Sequence, residues 1–363
     1  MKLTNRLKYT VVLFTLLLLS QPLYGDSHGD SDYQDLNPRV LEAINRGLEW
    51  MKTQQEDNGL FRHHPGITGL AVTAFLRHPH NQYAEADNPF IQKAINVLIA
   101  MQQPNGGIYN VEMQPALPNY NTSVSLMALS SANNPEYDMA IAKAQNFIKS
   151  LQVTDESDVY FGGIGYGSRE SVHDLSNMSF AIQALKESGS DDPEVWDKAV
   201  KFLERTQNRS ETNDQDWAGD DGGFIYAPDG ESKAGEHRSY ASMTYAGLLS
   251  FIYAEVDKDD PRVQAAVDWI TKYFTVEENY GMEQQGLFYN YHTMAKALKT
   301  YGESTIVDAK GVSHDWYREL AEKLIAEQTP DGFWVNESSR WMERDPVLVT
   351  SYAVIALATA YSE

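Results

Sequence analysis

The stretch NPFIQKAINVLIAMQQPNGG, residues 88–107, decides how the rest of the chain reads. It opens on Asn88-Pro89 and closes on Gln102 followed by Gly106-Gly107. An Asx at a helix N-cap accepts orphan backbone N–H groups, and proline at the first helical position loses nothing by lacking one. The pair therefore reads as a helix start, and the glycines supply the positive φ that lets the chain reverse afterwards. Asn37-Pro38, Asn134-Pro135, Asp192-Pro193 and Asp260-Pro261 mark further starts, with a sixth, lacking proline, at Asp315. Gln55 leads to Asn58-Gly59, Gln152 to Gly162-Gly163, Gln207 to Gly222-Gly223 and Gln328 to Asp331-Gly332. In the fifth repeat Phe274 replaces the glutamine, although Gly281 remains. Repetition at about 50 residues signals stacked supersecondary units.

Within each unit the first helix is amphipathic. Val263, Val267, Ile270 and Phe274 form one stripe, and Tyr137, Ile141, Ala144, Ile148 and Leu151 another, with charge on the opposite side. The second helix is apolar nearly all round, as in NTSVSLMALS (121–130), YASMTYAGLLSFI and VLVTSYAVIALATA. A helix with no charged face must be covered on every side. Six apolar helices sheathed by six amphipathic ones close into an all-α (α/α)6 toroid of helical hairpins with no sheet. An open solenoid is the alternative, but neither end shows a polar capping repeat.

Ahead of the repeats, Lys2, Arg6 and Lys8 precede an apolar run from Val11 to Leu19, then Ser20, Pro22 and Gly25. This is the layout of a secretory signal peptide, too short for a membrane span of ~20 residues. The expected organisation is a signal at 1–25, a linker at 26–36 and a single toroid domain at 37–363. The chain is expected to be exported, to the periplasm or outside the cell, and not to be an integral membrane protein. With 29 basic against 51 acidic residues, nucleic acid is disfavoured as a partner by its charge. There is no cysteine, so there are no disulfides and no thiolate metal ligands.

Outer-helix glutamine, a glycine–aromatic turn such as Gly222-Gly223-Phe224 or Asp331-Gly332-Phe333-Trp334, and then an apolar helix resemble the repeat of squalene–hopene cyclases and of protein prenyltransferase β subunits. The resemblance runs from Asn37 to the C-terminus and implies an isoprenoid or similar apolar small molecule in a central cavity. The family's catalytic residues do not carry over. The cyclase Asp-x-Asp-Asp motif falls on Asp174-Leu175-Ser176-Asn177, where the acid position is Ser176, and a hydroxyl cannot protonate an alkene. The prenyltransferase Asp-x-Cys pair falls on Arg238 and Tyr240, and a guanidinium does not bind zinc. Only Tyr291-His292-Thr293 matches the family's third ligand, so neither metal nor cofactor is expected.

In such a toroid the inner helices begin at one rim of the cavity. Counting back along each repeat places Asp174, His292 and Tyr240 there as candidate catalytic groups. His64, Asn121, Asn177, Arg238, Tyr291, Arg344 and Asp345 are placed there as binding groups. Asp and Asn at such positions commonly act only as caps, but capping needs neither His292, Arg238 nor Tyr240. Ten aromatics, among them Tyr166, Tyr226 and Tyr289, cluster at the turn–helix junctions, where most pack the ring and a minority face the cavity. The acidic loop Asn213 to Gly230 resembles part of a calcium loop but has Ile225 where the twelfth-position glutamate belongs, and reads as a solvated loop. Two other functions remain open: a carbohydrate-active enzyme using a carboxylate pair or a Tyr/His/Arg set, and a non-catalytic scaffold whose centre is filled.

Overall fold

The computed structural model describes residues 33–167 and 172–361. The signal-like segment at 1–25 lies outside the described residues. Of the linker positions, Tyr33 and Leu36 are buried, and Tyr33 packs edge-on against Tyr317 at 4.8 Å.

Outer and inner helices alternate along the chain. The outer set is α1 (Asn37–Lys52), α3 (Pro89–Ala100), α5 (Asp138–Ser150), α7 (Pro193–Thr206), α9 (Pro261–Tyr273) and α11 (Trp316–Glu327). The inner set is α2 (Pro65–Leu76), α4 (Pro118–Ser131), α6 (Leu175–Glu187), α8 (Ala241–Tyr253), α10 (Leu287–Tyr301) and α12 (Pro346–Ala360). Each inner helix packs on the next, α12 packs back on α2, and α1 lies against α11, α12 and α2. The circle is closed, as the all-round apolar character of the inner helices requires. One departure from an all-helical chain is a short antiparallel hairpin, β1 (Thr305–Val307) with β2 (Ser313–Asp315), which leads into α11. None of the described helices is long and apolar enough to cross a membrane.

The Asx-Pro starts are where helices or their first turns begin, but capping is not the reason at all of them. Asp260, Asp315 and Asn134 accept backbone N–H groups of Arg262, Arg318 and Glu136. At the other three the side chain is used elsewhere: Asn37 accepts from the Tyr317 hydroxyl at 2.8 Å, Asn88 donates to the Ala84 carbonyl at 2.7 Å, and Asp192 meets Lys149 at 3.4 Å.

The repeated glutamine is a staple between neighbouring repeats. Nε2 of Gln152 donates to the Gly162 carbonyl of its own turn and to the Val195 carbonyl at the start of α7, both at 3.0 Å. Gln55, Gln102, Gln207 and Gln328 do the same toward Phe90, Ala140, Arg262 and Ala43, all in the first two turns of the next outer helix. The turn glycine rests against a carbonyl three residues further on. Gly162, at φ +83°, lies so close to the Lys198 carbonyl that a Cβ would collide with it. Two residues past the glycine, the chain is tied to the inner helix: the N–H groups of Phe61, Ile108, Phe224 and Trp334 donate to Thr68, Thr122, Thr244 and Thr350 at 2.9 to 3.1 Å. At the fifth seam, where Phe274 replaces glutamine, its ring packs on His314 at 5.1 Å and Lys323 pairs with Glu277 at 2.6 Å.

Gly162→Ala tests this packing against Gly189→Ala, because Gly189 also has positive φ (+75°) but meets nothing within 4 Å. The Gly189 change should cost about 1 kcal/mol of unfolding free energy for left-handed strain alone. Gly162→Ala should cost about 3 kcal/mol or more, because the Lys198 carbonyl must also give way. Equal losses in urea titration would refute the staple geometry.

Candidate functional site

The inner helices enclose a cavity of about 400 Å³ on the side where they begin. Its walls come from the first residues of those helices: Tyr120 on α4, Ser176 and Asn177 on α6, Tyr289 on α10 and Leu348 on α12. Tyr240 and His64 join them from the residues just before α8 and α2. Loop residues Tyr166, Tyr226, Trp341 and Met342 complete the enclosure, and Trp341 and Met342 are also exposed, which places them at the mouth. No lysine or arginine lines the cavity among the described residues.

Deeper along the axis polarity changes in layers. Phe180 and Tyr352 line the cavity, and the buried His292 ring packs against both, with centroids at 6.4 and 5.2 Å. Neither His292 nitrogen has a hydrogen-bond partner, and burial, with Lys296 and Arg77 nearby, holds its pKa well below that of an ordinary histidine. One turn further along α10, Lys296 Nζ donates to Gln183 at 2.8 Å and pairs with Glu187 at 3.1 Å, and Glu187 also pairs with Arg77. Burial lowers the Lys296 pKa to about 8. The cavity is thus floored by rings, and an ionic cluster lies beyond them.

The sequence-derived candidates separate into three groups. His64, Asn177 and Tyr240 line the cavity. Asp174, Asn121, His292 and Asp345 are not part of its wall. Asp174 caps α6 by accepting from the Asn177 N–H at 2.9 Å and from Asn177 Nδ2 at 2.8 Å. It also accepts from Tyr226, whose hydroxyl lies 2.9 Å from that of Tyr166; burial still raises the Asp174 pKa to about 6. Asn121 donates to the Ala116 carbonyl at 2.8 Å. Asp345 caps α12 through Val347 and Leu348 and binds Arg62 at 2.9 Å. The third group points away. Arg238 is exposed and folds back on the Ala234 carbonyl, Arg344 is exposed and donates to the Glu337 carbonyl at 3.1 Å, and the Tyr291 hydroxyl donates to the Val276 carbonyl at 2.7 Å. These three do not belong to the cavity: a count along the chain fixes the level of a residue but not the direction its side chain takes.

Sequence reasoning missed Glu343, one residue before the named Arg344-Asp345 pair. It lines the cavity, is 1% exposed, and accepts from the Tyr289 N–H at 2.8 Å and Asn336 Nδ2 at 2.6 Å. Burial raises its pKa to about 7 against these donors. Tyr120 and Tyr352, whose hydroxyls lie 3.4 Å apart, were missed as well; aromatics inside otherwise small-residue inner helices were the available signal. In the acidic loop three carboxylates are engaged, Asp214 with Arg205, Asp220 with Ser210 and Asp221 with Ser239. No group of His, Asp and Glu suited to a metal occurs among the described residues.

No family model and no curated protein matches the chain. Solved structures do. An unsaturated glucuronyl hydrolase specific for heparin aligns with TM-score 0.59 at 11% identity, covering 90% of this chain and 97% of that one. The type II terpene cyclase MstE from Scytonema, in complex with geranylgeranyl dihydroxybenzoate, aligns at 0.56 and 12%, covering 90% and 98%. A GH76 alpha-mannanase from Bacteroides thetaiotaomicron aligns at 0.52 and 12%, covering 88% and 95%. At such identities the likeness establishes the shared toroid fold and no more.

Glu343 predicts a pH dependence. Its folded pKa of about 7 exceeds the ordinary 4.5, so the stability it contributes is present below pH 4.5 and is lost as pH rises through 7. Between those values the thermal midpoint of the parent should fall relative to Glu343→Gln, which has no proton to release. Parallel midpoint-versus-pH curves would contradict the shift.

Proposed function

We propose that this is an exported, cyclase-like toroid that binds an isoprenoid or similar apolar molecule in its central cavity. The observation that carries the reading is the wall itself: mostly aromatic and aliphatic side chains, with a few neutral polar groups, Glu343 as its one carboxyl group and no lysine or arginine among the described residues. The volume of about 400 Å³ falls within the range typical of small-molecule sites. The cyclase among the structural neighbours holds a geranylgeranyl compound, which is consistent with such a use of the fold. Ser176 occupies the proton-donor position on the cavity wall, its hydroxyl 3.3 Å from that of Tyr289. Binding therefore does not bring with it the alkene protonation of the cyclases. A glycoside hydrolase would need two carboxyl groups facing one bond. Here Asp174 is withdrawn behind Asn177 and Tyr226, which makes the carbohydrate reading the weaker one.

For a ligand of about 20 heavy atoms at ~0.3 kcal/mol per atom, binding of roughly 6 kcal/mol is expected, a Kd of about 40 micromolar. Calorimetric titration with geranylgeraniol should give saturable binding with a negative heat-capacity change. Met243→Trp, which places a larger ring on the wall, should weaken it at least about tenfold with the helical circular dichroism unchanged. A flat titration, or a stronger response to heparin or mannan oligosaccharides, would overturn the proposal.

A further inference from the structure

The cavity's polar groups carry information about which apolar molecule it takes. His64 Nδ1 accepts the N–H groups of Gly66 and Ile67 at 3.1 and 3.3 Å, so its lone pair is committed to the start of α2. A neutral imidazole accepting at Nδ1 carries its proton on Nε2. Protonating Nδ1 would break both bonds, so the cap fixes the tautomer. Nε2 has no partner among the described residues, yet it is absent from the side-chain atoms that are both sealed and unsatisfied, and the ring lines the cavity. Capping alone requires only an acceptor, which Asp345 and Asp174 provide for α12 and α6. The far edge of the His64 ring is left over from that task. Tyr120 on α4 and Tyr352 on α12 line the same cavity, and their hydroxyls, 3.4 Å apart, can accept from each other or from a guest.

Resting on the binding reading above, we infer that His64 Nε2–H donates a hydrogen bond to a neutral oxygen of the bound isoprenoid, an alcohol or a carbonyl. The cavity thereby selects against both the plain hydrocarbon and the diphosphate ester. The hydrocarbon leaves the imidazole N–H without an acceptor. The diphosphate brings several negative charges to a wall that offers no lysine or arginine among the described residues and already holds Glu343. Arg62, two residues before His64, is paired with Asp345 at 2.9 Å.

The test is a comparison of three probes on the full chain: geranylgeraniol, the corresponding hydrocarbon and geranylgeranyl diphosphate. The parent should bind the alcohol about tenfold more tightly than either of the others. His64→Asn keeps a capping acceptor on α2, so its thermal midpoint should stay close to the parent's, but it removes the Nε2–H. In this variant the roughly tenfold preference for the alcohol over the hydrocarbon should disappear. Equal binding of alcohol and hydrocarbon by the parent, preference for the diphosphate, or an undiminished preference in His64→Asn would overturn the assignment. Failure of all three probes to bind would overturn the binding proposal together with it.

Discussion

A single side-chain amide holding two backbone carbonyls from different repeats is the interaction on which the rest depends. Each of five glutamines joins the carbonyl of its own glycine turn to a carbonyl at the start of the next outer helix. The carbonyls in the helix already accept their helical bonds, and the amide uses their second lone pair. Because donor and acceptors recur at the same steps, the angle between repeats is set locally and the sixth step returns to the first. Closure covers the inner helices on all sides and leaves a hollow at the end where their first turns begin.

This explains which parts of the structure were legible. Helix starts, the glutamine and the glycine turn are local in sequence, so the hairpins and their closure could be read directly, even though Asn37, Asn88 and Asp192 spend their side chains on contacts other than capping. The threonines that receive the turn's N–H groups were in plain view inside the inner helices, but their partners lie seven to twenty residues away and leave no periodic trace. The hairpin before α11 has strands of three residues, too short for an alternation to register.

The site was legible by level and not by direction. His64, Asn177 and Tyr240 reach the cavity, whereas Tyr291 and His292, adjacent in the chain, end in different surroundings: the first bonds outward to Val276, the second lies beneath the floor. Glu343 escaped notice because it precedes the cap of α12 yet serves the N-terminus of α10, a pairing made by the packing of successive inner helices and not by any local sequence pattern. Charge is also sorted by depth. Ion pairs among Lys296, Glu187 and Arg77 sit beyond the aromatic floor, while the hollow above it is mostly aromatic and aliphatic with Glu343 as its one carboxyl group. Such a hollow excludes charge and rewards apolar area, with a few fixed donors to orient what enters.

The most direct measurement is mass spectrometry of small molecules extracted with organic solvent from the natively expressed, purified protein. A neutral isoprenoid alcohol or carbonyl compound, near one molecule per chain, is the predicted result. Sugar fragments, a phosphorylated lipid, or nothing above the background of an unrelated protein would contradict it.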